Sequence, residues 1–208
     1  MIPTRFFGAV VLVLAFIPLS ATAQVFGEVH VGALGSSILV RDSINRELTV
    51  GPKPAPAVAL AAGSALSDVW RVSAGLRWSR SDLARHEADQ TITVMPLTVW
   101  TGTVALRRSL NSWASVAGTV GGIKYDPGAS DVEGTLFQDG TSLLPTAGIS
   151  ARVEYGLGAR WHVGLDVAYD FHRFTTPALR EGGIGEHRSV HRIAVSAVLR
   201  GNTARDPR

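Results

Sequence analysis

The stretch of sequence that decides the fold is Arg160–Phe174, which reads RWHVGLDVAYDFHRF. Its odd positions, from Trp161 to Phe171, are all apolar or aromatic, and its even positions are small or ionisable. Because successive side chains of a β-strand point to opposite faces, this alternation predicts a strand with one apolar face. The other face carries glycine, alanine, histidine and aspartate.

Seven further segments alternate in the same way, and turn residues separate them. The eight predicted strands are Val25–Val40, Pro56–Leu66, Trp70–Trp78, Thr91–Arg107, Trp113–Tyr125, Leu143–Leu157, Arg160–Phe174 and Arg192–Arg200. The alternation is blurred at Met95–Leu97 and at Gly121–Gly122, where we expect a bulge or a glycine kink.

The connections between these segments alternate in length. Residues 66–69, 109–112 and 156–159 form tight turns, whereas residues 41–55, 80–90, 126–142 and 175–186 form long loops. Tight periplasmic turns, long external loops and an even number of strands are typical of outer-membrane barrels. The sequence therefore predicts an all-β, eight-stranded, antiparallel, up-and-down transmembrane β-barrel.

The composition excludes several other classes of protein. Hydrophobic residues make up 46% of the chain and charged residues 18%, which is the opposite of a disordered chain. The absence of cysteine excludes a disulfide scaffold and cysteine-ligated metal sites. The net charge is only +3, and no basic run is longer than Arg107–Arg108, so we expect no nucleic-acid partner.

The N-terminus has the pattern of a secretory signal. A basic residue, Arg5, precedes an uncharged apolar run over residues 6–19, and small residues follow up to Ala23. This run is shorter than the ~20 residues of a spanning helix. We expect a signal peptide over residues 1–23 with cleavage between Ala23 and Gln24, a barrel domain over 24–201 and a short polar tail over 202–208. The expected location is the outer membrane of a Gram-negative-type bacterium.

A soluble sandwich or cup would also alternate, but its outer face would carry lysine, glutamate and threonine. Here the second face is small or ionisable, which suits the crowded interior of an eight-stranded barrel. Four carboxylates, five arginines and three histidines on this face should pair in the lumen, because an unpaired buried charge is costly. The predicted ion-pair network comprises Glu28, His30, Arg71, Arg77, Arg152, Glu154, His162, Asp166, Asp170, His172, Arg192 and Arg200.

Aromatic residues near the strand ends fit the girdles that flank a membrane-spanning belt. The predicted girdle residues are Trp70, Trp78, Trp113, Tyr155, Trp161 and Phe171. Trp100 falls in the middle of its predicted strand and fits a girdle less well.

Over residues 25–200 this pattern resembles the small outer-membrane β-barrel superfamily that includes the OmpA transmembrane domain and the OmpW-like proteins. The signal peptide, the eight strands, the sequence LSDVW at Leu66–Trp70 and a last strand running to Leu199–Arg200 carry the resemblance. It implies outer-membrane lipid, lipopolysaccharide and the barrel-assembly machinery as partners. That machinery usually recognises a terminal aromatic residue, a role that Leu199 would take here. No cofactor is expected.

One strand of the predicted lumen brings His162, Asp166, Asp170 and His172 to a single face. These residue types could form a metal site or an acid–base pair, but ion pairing with facing arginines is the favoured interpretation. Lipid A-modifying barrels of the PagP and PagL types are a further comparison, and PagL pairs a histidine with a serine. After His172 this chain continues Arg-Phe-Thr-Thr instead, so we expect no enzyme.

The sequence thus predicts a barrel with a filled lumen and a structural or surface-interaction role through its external loops. Two alternatives remain open. One is an OmpW-like narrow conduit for small apolar solutes, and the other is a lipid A-modifying enzyme.

Overall fold

The structure is a computed structural model and describes residues 24–41, 49–87, 90–129, 140–176 and 188–203. The predicted signal peptide, including Ala23, lies outside these ranges. These ranges contain no helical segment with the length and hydropathy of a membrane span. The strands are β1 (Val25–Ser36), β2 (Val40–Arg41), β3 (Thr49–Pro52), β4 (Ala55–Ala65), β5 (Trp70–Glu87), β6 (Gln90–Ser109), β7 (Ala114–Pro127), β8 (Leu144–Gly156), β9 (Trp161–Phe174) and β10 (Arg188–Asn202).

Eight of these strands close into a ring. β1 pairs with β4 on one side and β10 on the other, and the order continues through β9, β8, β7 and β6 to β5, which pairs with β4. All of these pairings are antiparallel. The predicted eight-stranded antiparallel barrel is confirmed. Closure leaves no sheet edge along the wall, which is the condition for crossing hydrocarbon with strands.

One end of the barrel holds the tight connections, and we call it the turn end. Residues 66–69, 110–113 and 157–160 connect strands there, next to the start of β1 and the finish of β10. Asn111 Oδ1 accepts hydrogen bonds from the backbone N–H groups of Trp113 (2.9 Å) and Ala114 (2.7 Å), which fixes the second turn. In the third turn Gly158 adopts a φ of +86°, a conformation that side-chain-bearing residues rarely take.

The opposite end, the loop end, differs from the sequence-based expectation. Residues 80–90 were expected to form a long loop, but β5 continues to Glu87 and β6 begins at Gln90. The stretch RSDLARHE has the composition of a loop, yet Leu83 and Ala84 within it are fully buried and hold the hairpin together. β5 and β6 have 18 and 20 residues, far more than the 9–11 that cross a bilayer.

The first long connection also contains strands. β1 ends at Ser36 rather than at Val40, and β2 and β3 form a small hairpin that pairs with β5 at its loop end. We call the four-stranded extension formed by β2, β3 and the loop-end halves of β5 and β6 the outer sheet. It continues the barrel wall beyond the eight-stranded ring.

The two expected irregularities have different outcomes. A bulge lies between β5 and β6, where Leu83 faces Met95 but Ala84 faces Thr93, so Val94 is the extra residue. This position directly precedes the expected Met95–Leu97. At Gly121–Gly122 the pairing with β6 and β8 runs on without a register shift, so no bulge lies there and the expected glycine kink stays a prediction. A Cβ on Gly121 would overlap the carbonyl oxygen of Gly102, and glycine permits that close approach within a regular ladder.

The outward face of the barrel is a continuous apolar belt. In β9 it extends from Trp161 to Phe171, and in β5 from Trp70 to Trp78, which are the lengths that a membrane-spanning strand requires. Large apolar side chains on this belt, such as Leu165 (56% exposed), point away from the protein.

Trp100 belongs to this belt. It faces outward directly opposite Trp78, at the end of the belt nearest the loop end. Because β6 continues past the belt, the middle of this strand coincides with the belt's edge, and Trp100 lies beside the predicted girdle residue Trp78.

Candidate functional site: the filled bore

The inward faces of the eight strands line a bore that side chains occupy. β4 contributes only small residues to it, namely Ala55, Ala57, Ala59, Ala61, Gly63 and Ala65. Small residues on one side of a narrow barrel leave room for long side chains from the other strands. All twelve residues of the predicted network lie on inward faces.

The side chain of Arg152 lies at the centre of a charged layer in the half of the bore near the turn end. Its guanidinium donates to both oxygens of Glu28, at 2.6 and 3.0 Å, and its Nε donates to Asp166 at 2.9 Å. Glu28 is also 3.0 Å from His30 Nε2. A bidentate pair of this kind is among the strongest polar contacts in proteins, and here the Arg152 side chain is only 2% exposed.

Arg107 completes this layer, although the sequence reasoning missed it. It donates to Asp166 at 3.0 Å and to the hydroxyls of Ser150 and Ser115 at 2.9 and 3.1 Å. It is next to Arg108, so the charge alone does not tell which of the two faces inward. The outward Leu106, two positions from Arg108 on the same face, was the signal that places Arg107 inside.

Three further arginines contact the remaining carboxylates. Arg71 and Arg200 share Glu154 Oε1, at 2.9 and 3.1 Å, and Arg77 donates to Asp170 at 2.6 Å. The charged layer therefore joins β1, β5, β6, β8, β9 and β10 across the bore.

Three members of the predicted network do not form carboxylate pairs within the described residues. His172 Nε2 lies 2.9 Å from the hydroxyl of Tyr125. Arg192, 1% exposed, donates to Thr101 at 3.0 Å, and its Nη2 has no hydrogen-bond partner among the described residues. His162 lies on an inward face near the turn end, and its buried Nδ1 has no hydrogen-bond partner in the part of the chain that the structure describes.

The metal-site alternative receives no geometric support in the described ranges. No three histidine or carboxylate side chains converge there in a way that could hold an ion. Asp166 and Asp170 accept from arginines, and His172 contacts Tyr125.

The half of the bore near the loop end has a different character. The sequence reasoning expected small and charged residues throughout, but a packed apolar cluster occupies this half, and that expectation was wrong for it. We call the cluster the apolar plug; it consists of Leu39, Leu83, Met95, Leu97, Val99, Ile123, Tyr125, Leu144, Phe174 and Val190. Each of these is at most 5% exposed. Leu39 comes from the segment between β1 and β2, so part of the first connection folds into the mouth of the barrel.

Solved structures with this architecture are known. The crystal structure of Neisserial surface protein A aligns with a TM-score of 0.57 at 10% sequence identity, over 85% of this chain and 96% of that one. The crystal structure of the outer-membrane protein OprG from Pseudomonas aeruginosa aligns with a TM-score of 0.51 at 14% identity, over 86% and 96% of the two chains. No family model and no curated protein matches the sequence. The chain has the fold of the small eight-stranded outer-membrane β-barrels.

Proposed function

We propose that this protein is an integral outer-membrane barrel with a closed bore and a structural or surface-interaction role carried out at its loop end. The observation that carries the proposal is the occupied bore, in which the charged layer and the apolar plug follow one another along the axis. A conduit needs a continuous opening along the bore, and two packed layers block that opening. Other molecules would therefore contact the protein at its outer surfaces.

The apolar belt supports the membrane placement. Exposed valine, leucine and isoleucine side chains surround the barrel, and soluble monomers rarely expose apolar patches beyond a few hundred Å². Hydrocarbon accepts such a surface without penalty, whereas the charged face would cost about 2–4 kcal/mol for each arginine near the bilayer centre. By analogy with other such barrels, the turn end lies in the periplasm and the loop end outside the cell.

Export and assembly follow from the same proposal. Residues 1–23 act as the signal peptide, because a basic residue, a short apolar run and small residues precede the expected cleavage site, and the mature chain begins at Gln24. The barrel-assembly machinery inserts the barrel through β10, whose outward Leu199 lies between Val29 and Val163 in the neighbouring strands. N-terminal sequencing of the protein from outer membranes checks the start of the mature chain.

The outer sheet suits a surface role because it is ordered rather than a simple loop. Lys53 Nζ donates to Thr93 at 2.8 Å, and Arg85 lies 2.6 Å from Glu87, with these polar groups exposed beyond the belt. An ordered, polar sheet that projects from the membrane presents a fixed surface to a partner outside the cell. No catalytic step is part of this proposal.

Electrical recording tests the closed bore. Purified protein added to a planar lipid bilayer is expected to leave the conductance at the level of lipid alone, and vesicles containing it should take up small apolar solutes no faster than empty vesicles. Heat-dependent migration on a cold gel shows in the same preparation that the barrel is folded. Discrete current steps or faster uptake by the folded protein would support a conduit and contradict the proposal.

A further inference from the structure

Arg192 differs from the other arginines of the bore in its charge partners. Every other arginine that the described strands place in the bore donates to at least one carboxylate, and these residues are Arg71, Arg77, Arg107, Arg152 and Arg200. Arg192 is 1% exposed, and no carboxylate of the described residues lies within 4.0 Å of its side-chain nitrogens. A buried positive charge is costly without a negative partner.

The carboxylate nearest to Arg192 by strand register is engaged elsewhere. Asp170 lies directly opposite Arg192 in the pairing of β9 with β10. It accepts instead from Arg77, which reaches across the bore from β5 at 2.6 Å. The Arg192 side chain crosses the bore toward β6, where the neutral hydroxyl of Thr101 accepts from it at 3.0 Å. Two guanidinium groups thus share the neighbourhood of one carboxylate, and this part of the described bore has a surplus of one positive charge.

His172 supplies a second buried donor next to this charge. The hydroxyl of Tyr125 lies 2.9 Å from His172 Nε2, which is the only side-chain acceptor that it reaches among the described residues. The hydroxyl therefore donates to Nε2, and the proton of the neutral imidazole lies on Nδ1. That Nδ1 is buried and, like Arg192 Nη2, has no hydrogen-bond partner in the described ranges. Arg192 is the diagonal neighbour of His172 across the two strands, at a spacing of about 7–8 Å that long side chains can bridge.

The surroundings of these two nitrogens restrict the size of a ligand. β8 places Gly148 directly opposite Asp170, and even a Cβ atom there would lie 2.7 Å from Asp170 Oδ1. On the side of the loop end the apolar plug begins, with the rings of Tyr125 and Phe174 packed edge to face at 5.3 Å between centroids. This packing favours a monatomic anion over sulfate or phosphate. A guanidinium group is weakly hydrated and therefore loses little on contact with a dehydrated halide.

We propose that the bore binds one halide ion, such as chloride, between Arg192 Nη2 and His172 Nδ1. The ion neutralises the surplus guanidinium charge and accepts a hydrogen bond from each of the two nitrogens. A water molecule would satisfy the same hydrogen bonds but would leave the charge uncompensated. The inference goes beyond the proposed function, because it depends on the packing inside the bore and not on what surrounds the barrel.

Urea unfolding of the vesicle-embedded protein tests the site when sodium chloride replaces sodium gluconate stepwise at constant ionic strength. An ion that binds only the folded barrel raises the ratio of folded to unfolded protein in proportion to its concentration once the site is filled. A tenfold increase in chloride in that range should therefore raise this ratio by about tenfold for the wild-type protein.

Two substitutions locate the effect. Arg192→Met removes the charge that the ion neutralises, so the folded-to-unfolded ratio should no longer depend on chloride. Arg71→Met is the matched control, because it removes the same group from the same bore while Glu154 keeps its contact with Arg200. The chloride dependence should persist in this control. Heat-dependent migration shows that each variant is folded.

Crystals of the wild-type barrel grown in bromide test the inference without any variant. Anomalous diffraction at the bromine absorption edge should place one ion within hydrogen-bond distance of Arg192 Nη2 and His172 Nδ1. A water molecule at that position, with no anomalous signal, would overturn the inference. An equal chloride dependence in the wild-type protein and Arg192→Met would also overturn it, and so would loss of the dependence in Arg71→Met.

Discussion

Arg152 shows how much the polar contacts of a single residue can stabilise the bore. Its guanidinium is almost fully buried and contacts both Glu28 and Asp166. Arg152→Met removes the positive charge and leaves two carboxylates facing each other, so the free energy of unfolding should fall by about 3–5 kcal/mol. Urea unfolding of the vesicle-embedded protein, followed by tryptophan fluorescence, measures the change.

Arg85→Met is the control for this prediction. Arg85 and Glu87 form an ion pair whose side chains are 40% and 42% exposed, so its loss should cost only about 0–1 kcal/mol. Equal losses for the two variants would mean that Arg152 is not in a dry, charged layer.

Gly148 is a second position where a small substitution, the addition of one Cβ atom, should lower the stability of the barrel. A Cβ there would lie 2.5 Å from the backbone carbonyl oxygen of Tyr169, 2.7 Å from Asp170 Oδ1 and 2.8 Å from Thr119 Oγ1. Gly148→Ala should therefore strain the pairing of β8 with β9, push Asp170 away from Arg77 and lower the free energy of unfolding by about 1–3 kcal/mol. Gly118 is the matched comparison on the neighbouring strand, because a Cβ there meets nothing within 4 Å. If Gly118→Ala proves as destabilising as Gly148→Ala in the same urea experiment, crowding of the bore is not the cause.

The limits of sequence reasoning at this scale follow from the geometry of a barrel. Period-2 alternation tells which residues share a face, but not which of them meet. Glu28 and Arg152 are 124 positions apart and come together only because the ring closes. Arg107 was missed for a local reason, since it is adjacent to another arginine on the opposite face.

At the scale of elements, the paired strands of the wall could be predicted from the sequence, but the outer sheet could not. The strand β9 has regular alternation over its whole length, so its predicted bounds match to one residue. The loop-end halves of β5 and β6 contain charged residues and a bulge at Val94. The bulge shifts the alternation by one position, so the period-2 pattern does not predict the hairpin. The small strands β2 and β3 are four residues or shorter, too short for periodicity to detect.

The orientation of these elements can be measured because the chain has no cysteine of its own. Ile92 lies in the outer sheet and is 47% exposed, whereas Leu110 lies in a tight turn and is 59% exposed. The two variants are Ile92→Cys and Leu110→Cys. A membrane-impermeant maleimide should label the first variant on intact cells and the second only after the outer membrane is permeabilised. The reverse pattern would show that the turn end faces outward.

At the scale of the whole molecule, two kinds of layering hold the structure together. Outside, the apolar belt lies between aromatic residues at both ends, and inside, the charged layer and the apolar plug divide the bore. The alternation of strands and the alternation of turn lengths together predict the closed eight-stranded wall. The apolar plug could not be predicted in this way, because its residues have the inward parity of the charged layer and one of them, Leu39, comes from outside the strands of the ring.

The central claim is that hydrocarbon surrounds the outward face while the charges lie inside, and spin labels along β9 test it most directly. Labels at Leu165 and Val167, which lie on the outward face within the belt, should collide more often with dissolved oxygen than with a water-soluble nickel chelate in vesicles. A label at Arg173, on the same face beyond the belt, should show the opposite preference. If Leu165 and Val167 instead respond to the nickel chelate as Arg173 does, water and not lipid covers the outward face, and the account is wrong.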